Sequence, residues 1–494
     1  MAIYARIRAL SIAVVSGWSQ AAIRPLDVRQ SVGECSSAAS GDMFLEGRIT
    51  GPLPSPMAQQ AEETIVSADL IDIKYGSNFK VLLEKYSKEM YVLTQCGTTP
   101  PSQAQIDAVM LVPSGFTVKN FTVPLQSVGS ATTVNLAFFK ALSITGRAHY
   151  VSEYAVDACW QKALDCGAQA DMAVHLPQVD AWFMDCDWQR GCINVNEQAK
   201  AVHVSATQDP GPLRSAEHIK FVAAFFNKEQ LASQLFADQL TAYTRLAASY
   251  QSLAVQPVVA WIEYSAYGKA FKLSQALYKL EFVRHAGGSN VDGDAAMQLI
   301  GSKMTKTAAA SGATYTLAEG DFNGTAAEQK AKASEAFFNA LGSLNVSVVV
   351  DETYALRPSD YTISTFYAHY GLTASSDLRF VVEQMVLRVD GIISESDNLA
   401  WFESRIAHPE LAAEGLARHL HADSSKKKTF FRNIAKAERP TVISKDSCSA
   451  VLPACDAAAY AEKIGMMTGS EISASSEHSV ILSLLLLCFL AALP

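Results

Sequence analysis

The chain is short of positive charge. Its 40 Lys and Arg stand against 49 Asp and Glu, a net charge of −9 over 494 residues, and the one basic run is Lys426–Lys428. A face that binds nucleic acid or anionic lipid needs clustered cations, so neither is expected as the main partner. Lys426–Lys428 reads as a solvated helix face. Catalytic signatures are also missing. There is no Gly-x-Ser-x-Gly elbow, no His-Glu-x-x-His and no Gly-rich phosphate loop ending in Lys. No Cys-x-x-Cys or His pair has zinc-ligand spacing, and His419 and His421, two apart, do not share a helix face. Enzyme status is unsupported, and no cofactor is expected.

What is present lies first at the two ends. Residues 1–22 carry Arg6 and Arg8, the apolar run Ala9–Val15 and then small residues, the order of a secretory signal. Thr468–Ser479 is small and polar, and Val480–Pro494 is apolar and uncharged. Fifteen residues fall short of the roughly 20 that a membrane helix takes. Segment 446–479 therefore reads as a spacer, and 480–494 as a GPI-attachment signal or a short membrane anchor. The expectation is a folded body outside the cell, tethered to the plasma membrane by its C-terminus.

Of nine cysteines, Cys488 lies in that tail, which leaves eight. An even number in an exported chain is read as disulfides. The local pairs Cys159–Cys166, Cys186–Cys192 and Cys448–Cys455 and the longer Cys35–Cys96 are the expected set, with connectivity open. Glycosylation sequons stand at Asn120, Asn323 and Asn345.

Between the ends, residues 23–70 are a Ser-, Gly- and Pro-punctuated lead-in that includes Gly51–Pro56. Short β-rich runs then alternate with helical ones through 71–212, and again through 255–445. Val346–Val350, five residues with four valines, fits a parallel strand buried on both faces. Between the two series, Ile219, Val222, Ala223, Phe226, Leu231, Leu235, Phe236, Leu240 and Tyr243 hold helical spacing. That spacing predicts one connecting helix over 213–254, capped by Ser215. The fold class expected is α/β, two Rossmann-like lobes on a rigid connector.

Six blocks carry a family resemblance: Tyr75–Lys80 (YGSNFK), Tyr91–Gly97 (YVLTQCG), Gly211–Glu217 (GPLRSAE), Phe225–Glu229 (FFNKE), Asp351–Tyr354 (DETY) and Trp401–Arg405 (WFESR). Together they resemble eukaryotic relatives of bacterial type III substrate-binding proteins of the vitamin B12 and siderophore class. The similarity is greatest to algal cobalamin-acquisition proteins, and it spans about Asp72 to Ile434. The resemblance implies two lobes bridged by a long helix, with ligand held in the cleft between them. It implies cobalamin captured for uptake, with an unidentified membrane partner, or an iron siderophore or haem on the same scaffold. An extracellular metal-dependent hydrolase would need a convergent His, Asp and Glu cluster.

In open α/β lobes, ligands meet the carboxyl ends of parallel strands, and a flat chelate calls for aromatic contact area. Trp401 with Phe402 and Glu403 offers stacking surface beside an acceptor. Trp261 and Tyr264 end a strand, Phe322 sits in a turn, and Phe221 lies on the long helix. These six, Trp401, Trp261, Phe322, Glu403, Phe221 and Tyr264, are the candidate ligand-binding residues. Asp351 and Glu352 point opposite ways on a strand and read as structural, capping the segment that follows or bonded to Tyr354 and Arg357. Arg214, Arg357 and Arg405 are the cations available to a siderophore.

Overall fold

The computed structural model of the chain describes residues 65–186, 199–250 and 253–455. The two end segments and the cysteines Cys35, Cys192 and Cys488 lie outside the described residues.

The N-terminal lobe is built from two sheets. Strands β1 (Ile71–Gly76), β2 (Phe79–Glu84) and β3 (Glu89–Gln95) form an antiparallel meander, with β4 (Thr117–Val123) parallel to β3. Strands β5 (Val128–Ser130), β6 (Ala148–Val151), β7 (Ala181–Met184) and β8 (Ala201–His203) form a parallel sheet in the order β6-β5-β7-β8. Helices α1 (Thr133–Ala141) and α2 (Ala158–Asp165) follow β5 and β6.

The C-terminal lobe centres on a sheet whose parallel strands β9 (Val258–Ser265), β14 (Val348–Asp351) and β15 (Val386–Arg388) are flanked by others. β10 (Ala270–Ala276) and β13 (Gly312–Ala318) extend it antiparallel, with β12 (Met304–Ala309) at that edge and β17 (Arg432–Asn433) at the other. β11 (Ser289–Asn290) joins β9 in parallel, and β16 (Ile392–Ser394) pairs separately with β18 (Thr441–Ile443). The valine run does have a parallel neighbour on each side, and all of β14 is buried.

The connector differs from the sequence expectation. It is two helices, α3 (Pro212–Ala224) and α4 (Glu229–Tyr250), broken at Phe225–Lys228. Ser215 is not the cap, because the helix starts at Pro212 after Gly211. The break has a clear cause. Asn227 adopts φ 54°, a left-handed conformation that Asn tolerates better than most residues. Lys80 reaches in from β2 and donates to Ala224 O at 2.8 Å and Asn227 Oδ1 at 2.7 Å, and it pairs with Glu229. A buried ammonium thus satisfies the Ala224 carbonyl at the helix end, which helix continuation would have used. Apolar periodicity is blind to such a cap, because Phe225 and Phe226 keep the helical spacing while packing into the N-terminal lobe.

Two of the three local disulfide assignments, Cys159–Cys166 and Cys448–Cys455, also fail. Cys159 is bonded to Cys448, and Cys166 to Cys455, each across 289 residues. Cys159 lies on α2 and Cys166 caps its end. Seven helical residues rise about 10 Å, too far for one disulfide, whose Cα atoms stand roughly 4.4–6.8 Å apart. Both pairs share the spacing Cys-x6-Cys, and that equal spacing was the signal for a ladder between two segments. Cys96 and Cys186 are also disulfide-bonded, and the assignments Cys35–Cys96 and Cys186–Cys192 run to residues outside the described set.

This connectivity gives the protein a strap. After β18 completes its pairing in the C-terminal lobe, the chain crosses to α2 of the other lobe and is welded there twice. Lys445 pairs with Asp165 at 2.6 Å on the way, and Gln161 Nε2 donates to Ile443 O at 2.9 Å. The segment from Cys448 to Cys455, read as part of a spacer, is built into the fold. Asn120, Asn323 and Asn345 all have exposed side chains.

Candidate functional site

Both lobes repeat one parallel order. In the first, β6 lies on one side of β5 and β7 on the other, with β8 beyond. In the second, β11 and β14 flank β9, with β15 beyond β14. In such a sheet the chain leaves the first and third strands in opposite directions, and a crevice opens at their carboxyl ends. The two crevices face each other. The cleft between them, ≈ 670 Å3, is lined by Ala131–Val134 after β5, Ser152 and Tyr154 after β6, and Asp185 after β7. From the second lobe come Glu352–Leu356 after β14, Val389 after β15, and Ser396–Leu399 with Phe402 after β16.

Four large apolar side chains stand exposed on these walls: Tyr154 at 64 %, Tyr354 and Leu356 at 79 %, and Phe402 at 58 %. Each leaves water when something fills the cleft, which stabilises a complex by roughly 1.5–3 kcal/mol per fully covered side chain. Charge is sparse and committed. Glu352 is paired with Lys279. Asp185 accepts from Thr207 at 2.5 Å, and Asp397 accepts from Ser359 at 3.0 Å. Arg388 donates to Asp351 at 2.6 Å, to Asp390 at 2.7 Å and to Thr353 O at 3.0 Å. Among the described lining residues, no cation is left unpaired.

Beneath the wall lies a buried ionic cluster. Asp390 holds Arg388 on one side and Arg432 on the other, and Arg432 donates to Pro358 O at 2.8 Å and Tyr361 O at 3.0 Å. Asp351 accepts from Tyr370 Oη and the Thr353 amide, both at 2.9 Å. The two arginines thus hold both ends of the loop that presents Tyr354 and Leu356. Asp351 is structural as expected: it caps the segment that follows by accepting from the Thr353 amide, and its side-chain partners are Arg388 and Tyr370 in place of Tyr354 and Arg357.

The candidate residues named from sequence fall elsewhere. Trp401 is fully buried, its ring 5.8 Å from that of Trp261 and packed against Phe282, Phe430 and Phe431. Trp261 is buried in the same core. Phe221 packs on Tyr91 and Phe225 inside the N-terminal lobe. Tyr264 is buried and donates to Glu319 at 2.8 Å. Phe322 is half-buried at the edge of the second lobe's core, with the Lys303 ammonium 3.9 Å from its ring centre. None of the six lines the cleft. The aromatic residues that do are Phe402, the neighbour of Trp401, together with Tyr154 and Tyr354. Of the three arginines, Arg214 pairs with Asp69, Arg405 lies over Tyr278 and Trp401, and Arg357 is exposed beside the loop. None of them lines the cleft.

The reason is the short helix α5 (Ala400–Ser404). Successive helical residues turn by about 100°, so three neighbours face three surroundings. Trp401 enters the second lobe's core, Phe402 meets the cleft, and Glu403 crosses to the first lobe. Glu403 Oε2 accepts from the Val156 amide at 2.6 Å and Oε1 from the Asp157 amide at 3.0 Å, at the entrance to α2. Burial pushes this carboxyl up to about 8, against the two backbone amides, with the nearby Asp157 raising it and Lys140 lowering it.

A group whose pKa is raised on folding stabilises the fold fully below its unfolded value, near 4.5, and that contribution is lost as pH climbs through about 8. The denaturation midpoint of the wild type is therefore expected to fall between pH 5 and 9 relative to Glu403→Gln. Parallel midpoints for the two proteins across that range would remove this role from Glu403. Among the described residues, no group of three or more His, Cys, Asp or Glu is placed to hold a metal. His419 and His421 point to the backbone carbonyls of Phe431 and Ala286.

No family model and no curated protein matches the chain. Solved structures do. A periplasmic haem-binding protein from Pseudomonas aeruginosa aligns at 15 % identity over 64 % of this chain and 99 % of its own, with a TM-score of 0.41. A petrobactin-binding protein from Bacillus subtilis aligns at 10 % identity over 61 % of this chain and 93 % of its own, TM-score 0.40. A periplasmic binding protein from Veillonella parvula gives 11 %, 60 %, 91 % and 0.40. At such values the likeness carries no argument about the cleft, whose reading stands on its own residues.

Proposed function

We propose that this protein is a binding protein, and that its interlobe cleft captures a bulky, flat, amide-rimmed chelate, with cobalamin as the cargo, for uptake into the cell. One observation carries the reading. Tyr154, Tyr354, Leu356 and Phe402 converge, exposed, on the crevice where the parallel strands of both lobes end. Aromatic walls supply rigid contact area to a planar ring, and the tyrosine hydroxyls supply hydrogen bonds to its rim. The absence of an unpaired cation among the described lining residues favours a neutral amide rim over the carboxylates of haem or the anionic oxygens of ferric siderophores. An exported location is supported by the two long-range disulfides, which persist in oxidising compartments. Attachment through the C-terminal tail, and a membrane partner that accepts the cargo, belong to the same proposal.

Titration of the purified folded body with cyanocobalamin is expected to saturate at one site in the micromolar range or tighter. Excess haem or ferrichrome is expected to leave that binding in place. Saturable binding of ferrichrome or haem alone would transfer the proposal to the iron chelates, and no binding of any of the three would reject it.

A further inference from the structure

We propose that Glu403 sets the aperture of the cleft, as a positioning residue that ties the two lobes together. The proposal rests on the reading of that cleft as a ligand site. The Glu403 carboxyl group leaves the second lobe on a five-residue helix and ends on two backbone amides of the first lobe, at 2.6 and 3.0 Å. It is 1 % exposed, and such burial strengthens its hold on those amides. The residue before it on the chain, Phe402, is a cleft wall, and its carbonyl accepts from Thr133 Oγ1 of the opposite wall at 3.4 Å. Any movement of Glu403 relative to α2 therefore moves Phe402 relative to Thr133 and Tyr154.

Further ties run beside it. Asn398 Nδ2 donates to Glu153 O at 3.2 Å, and the Glu395 amide donates to Gln161 Oε1 at 3.0 Å. Gln161 also donates to Val156 O at 2.7 Å and to Ile443 O of the strap at 2.9 Å. These contacts hold the turn that Glu403 grips. The side chain is in this way excluded from touching cargo and still determines how far apart the cargo's two walls stand.

The isosteric change Glu403→Gln isolates the tie. An amide group offers one acceptor oxygen, and its NH2 faces the second backbone amide donor to donor. Glu403→Ala removes both acceptors, and the glutamine variant keeps the test usable where the alanine variant does not fold. The full chain, with its disulfides intact, is labelled by unnatural amino acids at exposed Asp107 in one lobe and Ser302 in the other. In the ligand-free protein, the distance distribution is expected to broaden in Glu403→Gln. Exchange of the Val156 and Asp157 amides is expected to accelerate roughly tenfold, the loss of one hydrogen bond to a charged or strongly polar group. Cyanocobalamin is then expected to dissociate about tenfold faster.

An unchanged distance distribution overturns the proposal, even if the melting temperature falls, because Glu403 would then be an ordinary stabilising contact. Faster amide exchange with an unchanged dissociation rate overturns it as well. A wild type that binds no cyanocobalamin defeats the cargo reading alone, and the ligand-free distances still decide the role of Glu403.

Discussion

Trp401→Ala is expected to cost about 3–5 kcal/mol of stability, the range for truncating a large buried aromatic, whereas Phe402→Ala changes stability by no more than about 0.5 kcal/mol. For cargo the order reverses. Trp401 has no exposed surface and stacks on Trp261 between Phe282, Phe430 and Phe431, so its loss opens a cavity in the second lobe. Phe402 is 58 % exposed on the cleft wall, so its loss leaves the core untouched and removes contact area from the ligand. Covering a fully exposed phenyl ring is worth roughly 1.5–3 kcal/mol, and Phe402 is 58 % exposed, so covering the rest of it gains about 0.9–1.7 kcal/mol and Phe402→Ala is expected to weaken cyanocobalamin binding about four- to twentyfold. Denaturant unfolding and ligand titration on the same two variants decide the matter. A Phe402→Ala protein that binds as tightly as the wild type would remove the cleft as described, and a Trp401→Ala protein of undiminished stability would remove the core assignment.

The second large effect lies in the strap. Removing either Cys159–Cys448 or Cys166–Cys455 by paired serine substitution is expected to cost about 2–5 kcal/mol, the usual loss for a native disulfide. Each bond closes a loop of 289 residues, and cross-linking a chain over such a distance removes much of the freedom of its unfolded state. Each bond also joins the lobes, because the strap leaves β18 in one and ends on α2 in the other. With both bonds gone, Lys445 is held by non-covalent contacts that include its pairings with Asp165 and Glu395, and tryptic cleavage there is expected to become rapid. The connectivity itself is read from a non-reducing digest. Peptides holding Cys159 and Cys448 travel together, and a peptide closed between Cys159 and Cys166 would refute the ladder.

The two predictions mark where local reading of the chain stops. Alternation, helical spacing and the valine run were sufficient for two α/β series with a helical connector, because those patterns depend on which faces must leave water. The segment Trp401–Glu403 was legible as important for the same reason: aromatic surface beside a carboxylate after a polar stretch. Its allotment was not. Which of three adjacent side chains enters the core, meets the cleft or crosses the gap depends on how a five-residue helix is rotated against two lobes. Tyr154 and Leu356 gave no signal of their own, since a single exposed apolar residue is ordinary until others converge on it.

Charge and the cysteine count by themselves pointed away from nucleic acid and toward an oxidising compartment, and the order of elements established the two-lobed α/β plan. Composition and periodicity record the demands of solvent on each stretch of chain, and those demands are local. The disulfide register, the helix break at Asn227 and the walls of the cleft were decided only by tertiary structure. Each depends on a residue distant in sequence, Cys448 and Cys455 for α2, Lys80 for the connector, Val156 and Asp157 for Glu403, and no local pattern encodes a distant partner.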